Sequence, residues 1–104
     1  LRLHTFFASV IHIRAFMAEY DYTLEFFPGI TRETLDRFMD DLLEELESQG
    51  IIAGGGYNTT CANLAMTCES QSTRVAETIR RTIMAVNDRY HCVSQWREGV
   101  VDDD

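Results

Sequence analysis

The chain has 104 residues, 45% hydrophobic and 25% charged, the size and make-up of one globular domain with a modest core. Seventeen acidic side chains against nine arginines and no lysine leave a net charge of −8, which repels phosphate backbones and argues against generic nucleic-acid binding. No apolar run reaches the ~18 residues of a membrane span. The three cysteines, Cys61, Cys68 and Cys92, are an odd number without repeated spacing, so a disulfide framework is not expected and a reducing, cytoplasmic setting is.

Residues 1–18 read as an apolar extension. Phe6, Val10, Ile13 and Met17 recur at helical spacing, so a helix is expected that covers the domain or joins two copies in a homodimer. The domain proper is expected over residues 19–99, followed by an acidic tail at 100–104.

Residues 19–27, EYDYTLEFF, alternate. Tyr20, Tyr22, Leu24 and Phe26 face one way, and Glu19, Asp21, Thr23 and Glu25 the other, the pattern of a half-buried strand. Pro28-Gly29 ends it. The run TRETLDRFMDDLLEELESQG then predicts a helix. Thr31 is the N-cap, Leu35, Phe38, Met39, Leu42, Leu43 and Leu46 form the apolar stripe, and Gly50 is the C-cap. Its outer face is mostly acidic, with Asp36, Asp40 and Glu44 in one i, i+4 row.

Ile51–Ala53 reads as a short strand, and Gly54–Gly56 as the turn after it. No lysine follows these glycines and no helix begins there, so they do not form a phosphate-binding loop. A hairpin or bulge with positive φ is expected instead. A strand within 59–68 follows, with Ala62, Leu64 and Met66 alternating against Cys61, Asn63 and Thr67. A second helix is expected from 70–73 to about Asp88, with Val75, Ile79, Ile83 and Val86 buried and Arg74, Arg80 and Arg81 exposed. A last strand is expected over Tyr90–Arg97.

The order is β-α-β-β-α-β, which predicts an α+β, ferredoxin-like sandwich: two helices on one face of a four-stranded antiparallel sheet. Neither a metal site nor a thiol nucleophile emerges. His91 and Cys92 point to opposite sides of a strand, as do Cys61 and Cys68. The carboxylates of the first helix lack an apolar surround that would raise a pKa. The open face of the sheet carries Asp21, Thr23, Glu25, Asn63 and Thr67 rather than aromatics on which bases stack, so sequence-specific nucleic-acid binding is not expected.

The run from Tyr20 to Arg97 resembles the YggL family of 50S ribosomal subunit-binding proteins. The stretches that carry the likeness are "YDYTLEFFPGITRETLDRFMDDLLEELESQGIIAGGGY" and "STRVAETIRRTIMAV". The resemblance implies a partner on the large ribosomal subunit and no catalytic residues. The expectation is therefore a non-enzymatic binding protein without cofactor or metal. Its candidate contacts are Arg74, Arg80 and Arg81 on one helix and Asp36, Asp40 and Glu44 on the other. The alternative is an acidic inhibitor or decoy that binds a basic protein surface.

Overall fold

The computed structural model describes residues 18–68 and 73–100. The helix expected in the N-terminal extension, the approach to the second helix and the acidic tail lie outside them. The elements are β1 (Ala18–Phe26), α1 (Arg32–Ser48), β2 (Ile52–Tyr57), β3 (Cys61–Cys68), α2 (Thr73–Tyr90) and β4 (Val93–Val100). The sheet order is β2-β3-β1-β4 with every pair antiparallel, the expected ferredoxin-like plan.

Alternation along β1 and β3 places Tyr22, Leu24, Phe26, Ala62, Leu64, Met66 and Cys68 on one buried face. They pack against Leu35, Phe38, Met39, Leu42 and Leu46 of α1 and Ile79, Ile83 and Val86 of α2. Phe38 joins the layers. Its ring meets Phe26 and Tyr90 edge-on, at centroid distances of 6.1 and 6.2 Å.

The ends of α1 follow the sequence closely. Thr31 accepts a hydrogen bond from the Thr34 backbone N–H at 3.2 Å. At the other end Gly50, at φ +82°, donates to Glu47 O while Ile51 donates to Leu46 O, both at 3.0 Å. This is a Schellman cap, and its usual apolar contact is supplied by buried Ile51 and Leu46.

Two expectations need correction. Gly54–Gly56 are not the turn but the body of β2, paired with Asn63–Ala65 of β3. Glycine keeps both backbone hydrogen-bonding groups and can lie in a ladder. Reversal is achieved by Asn58, whose Oδ1 accepts from the N–H groups of Thr60 and Cys61 at 2.7 and 2.9 Å. The second correction is at the far end. α2 continues to Tyr90, and β4 starts at Val93 rather than Tyr90. His91, at φ 55°, leaves the helix in the left-handed conformation that glycine more often supplies.

Candidate functional site

The two helices cover one face of the sheet, and the described residues leave the other open. Cross-strand register places Asp21 and Thr23 of β1, Asn63 of β3 and Arg97 of β4 side by side there. Thr23 donates to Asn63 Oδ1 at 3.2 Å. These side chains, with Gly99, line an open depression of about 500 Å³. Gly99 lies opposite Asp21, where any larger residue would narrow the depression. Arg97 has no ion-pair partner among the described residues, so its guanidinium is available to an anionic or carbonyl group. None of these four polar residues was among the sequence candidates. The alternation of β1 and β3 reveals which residues share the open face, but Arg97 joins them only through the register of β4.

The three arginines of α2 do not form one patch. Arg80 reaches back to β4 and pairs with Glu98 at 2.7 Å. The other carboxylate oxygen of Glu98 accepts the hydroxyl of buried Tyr22 at 2.7 Å. Burial, followed by that hydrogen bond to a carboxylate, pushes the Tyr22 phenol well above its ordinary pKa. Arg80 is therefore a tie between helix and edge strand. Arg81 pairs loosely with Glu77 at 3.7 Å, one turn away. Arg74 has no ion pair among the described residues.

The carboxylates of α1 separate as well. Asp36 and Asp40 lie on the flank beside β2. Asp36 accepts the Tyr57 hydroxyl at 2.5 Å and pairs with Arg32 at 3.1 Å, while the Arg32 guanidinium stacks 5.3 Å from the Tyr57 ring centroid. The tyrosine hydrogen bond, then the arginine, holds the Asp36 carboxyl below the usual range. Glu44 instead lines a groove of about 300 Å³ between the helices with Asp41, Glu45, Ser48 and Arg89. The row 36-40-44 advances about 40° per step around the helix, enough to carry its last member off the β2 flank. In the groove Arg89 bridges Asp41 and Glu45 at 3.9 and 3.4 Å, and Tyr90 donates to Asp41.

Among the described residues no group of three histidine, cysteine or carboxylate side chains converges as metal ligands, and no helix is long and apolar enough to cross a membrane. Cys92 is buried just before β4, and burial raises its thiol pKa. Cys61 and Cys68 lie at the two ends of β3 on opposite faces.

No family model matches the chain, and no curated protein matches it in sequence. Solved structures do match in fold. The At3g17210 protein of Arabidopsis thaliana superposes with a TM-score of 0.56 at 5% identity, covering 84% of this chain and 95% of that one. A putative antibiotic biosynthesis monooxygenase from Chloroflexus aurantiacus gives 0.52 at 9% identity, covering 85% and 95%. A hydantoinase/carbamoylase family amidase from Burkholderia ambifaria gives 0.50 at 6% identity, where 85% of this chain spans 28% of the larger enzyme.

These likenesses establish a shared fold. They also correct the expectation that the chain is not an enzyme. That expectation rested on the YggL resemblance together with the absence of a catalytic motif, yet 85% of this chain shares its fold with a putative monooxygenase. A missing linear motif is weak grounds here, because polar groups on a sheet face are assembled by strand register and leave no contiguous signature.

Proposed function

We propose that the chain binds a small polar organic molecule on the open face of its sheet and acts on it there. The observation that carries this reading is the convergence of Asp21, Thr23, Asn63 and Arg97 over the depression. A guanidinium beside a carboxylate, a hydroxyl and an amide suits a ligand bearing both an anionic or carbonyl oxygen and a hydroxyl donor. The Chloroflexus likeness makes monooxygenation the first reaction to assay. Monooxygenation places one atom of O₂ in the substrate and the other in water. The assay therefore follows oxygen uptake by the full chain with hydroxylated aromatic and enolic acids, with and without an added reductant. Binding or turnover that Arg97→Ala and Asn63→Ala each weaken supports the reading. Binding unchanged in both variants removes it.

A second reading keeps the large ribosomal subunit, or another basic protein surface, as partner. It is favoured by Asp40, Glu44 and Glu47, which are exposed and have no ion pair among the described residues, on a chain of net charge −8. Salt-sensitive co-sedimentation with large-subunit particles tests it. Absence from every ribosomal fraction at low salt would sink the ribosomal form.

A further inference from the structure

The two edges of the sheet differ sharply. β4 is a guarded edge: it carries Arg97 and Glu98, and its pairing slips between Glu25 and Phe26, where Ser94 is the extra residue. β2, Ile52-Ala53-Gly54-Gly55-Gly56-Tyr57, carries no charge and no proline, and its middle is three glycines. Among the described residues nothing pairs with its outer edge. Sheets protect such an edge with charges, prolines or bulges, because its unpaired N–H and C=O groups are a template for another strand.

The flank of α1 above that edge is defined by Tyr57. Its hydroxyl and ring hold Asp36 and Arg32, and Asp40 is near enough to raise its pKa further. Continuing this flank by helical geometry brings Leu43 and Glu47 into the same row. A strand added about 4.8 Å beyond β2 runs beside that row. Its alternate side chains face two environments. On the helix side are Asp40 and Glu47, unpaired among the described residues. On the open side are Ile52, 67% exposed, and two glycines.

We propose that the outer edge of β2 takes up an extended basic peptide as a fifth strand, its basic side chains beside Asp40 and Glu47 and its alternate apolar side chains over Ile52, Gly54 and Gly56. This deepens the second reading above and rests on it, naming the chemistry of the partner: a chain segment with basic and apolar residues at period two. Charge argues against a second copy as occupant. Antiparallel self-pairing about Gly54 sets two such acidic flanks side by side on a chain of net charge −8.

The test is calorimetric titration of the full 104-residue chain with an octapeptide of alternating lysine and valine, and with the same sequence N-methylated along its backbone. Both peptides carry the same charge, but only the first can donate to a strand edge. Strand addition predicts that the unmodified peptide binds at least about tenfold more tightly, the worth of one or two backbone hydrogen bonds. It also predicts that Asp40→Asn with Glu47→Gln weakens binding severalfold. Equal binding of the two peptides means plain charge attraction and overturns the proposal. Failure to bind overturns it too: a dimeric chain then assigns the edge to a second copy, and a monomeric chain with slow amide exchange in β2 assigns it to another part of the same chain. Continued co-sedimentation with large-subunit particles after such a failure leaves the second reading standing, whereas loss of both removes both.

Discussion

Gly55 shows how one residue can be constrained by a neighbouring strand. It sits at φ +137°, and a Cβ built there would collide with the Asn63 carbonyl of β3, whereas one on Gly54 meets nothing. Gly55→Ala is expected to destabilise by about 2–4 kcal/mol, through both the clash and the backbone region. Gly54→Ala is expected to lie within about 0.5 kcal/mol of the parent. Urea unfolding of the two variants checks the contrast, and equal midpoints would contradict the described pairing. Tyr22 makes the second prediction at this scale. Its phenol stays protonated in the fold beyond the pH at which it ionises in the unfolded chain. Above about pH 10 the unfolded state releases this proton first, so the contribution is intact below that pH and lost as the pH rises through the folded value. Tyr22→Phe, which leaves Glu98 paired with Arg80, is expected to flatten the alkaline decline of stability followed by circular dichroism.

At the scale of elements, the junction between α2 and β4 depends on Asn87. Its Oδ1 accepts from the N–H groups of Cys92 and Val93 at 2.9 and 2.8 Å, and its Nδ2 donates to Val93 O at 3.1 Å. The main chain turns tightly there, with His91 N–H donating to Asn87 O at 2.6 Å. Removing the side chain strands two partly buried donors, so Asn87→Ala is expected to cost about 2–3 kcal/mol. Asn87→Asp keeps the acceptor for both N–H groups but turns a carboxylate oxygen toward Val93 O, and is expected to cost less than the alanine variant; thermal denaturation distinguishes them. Nothing in the sequence marks Asn87, because its three partners lie five and six residues on and meet it only once the helix has ended. The helix α1 is the opposite case. Thr31, the apolar stripe and Gly50 are all local signals, and the structure places them as read except for Leu43, which is half-buried on the flank while Leu35, Phe38, Met39, Leu42 and Leu46 face the core.

At the scale of the whole molecule, charge is distributed without being neutralised. The ion pairs of the described residues are all at the surface, three of them between residues four apart on one helix, and each is worth a few tenths of a kcal/mol at most. They do not offset the repulsion of a chain at −8. Raising sodium chloride from about 0.05 to 0.5 M shortens the reach of that repulsion to a few ångströms. The midpoint of urea unfolding is therefore expected to rise with salt. A falling midpoint would mean that attractive pairs dominate instead.

The element order, the faces that β1 and β3 bury, both ends of α1 and the acidic character of the surface are legible in the sequence by itself. These depend on period, capping chemistry and composition, which act over a few residues. The sequence could not place the glycines of β2, since glycine suits a turn and a ladder equally, and only the Asn58 turn and pairing with β3 decide between them. Nor could it assemble Asp21, Thr23, Asn63 and Arg97, or separate Glu44 from Asp36 and Asp40. Tertiary structure decided these, because strand register and the packing of one helix beside another join residues far apart in the chain.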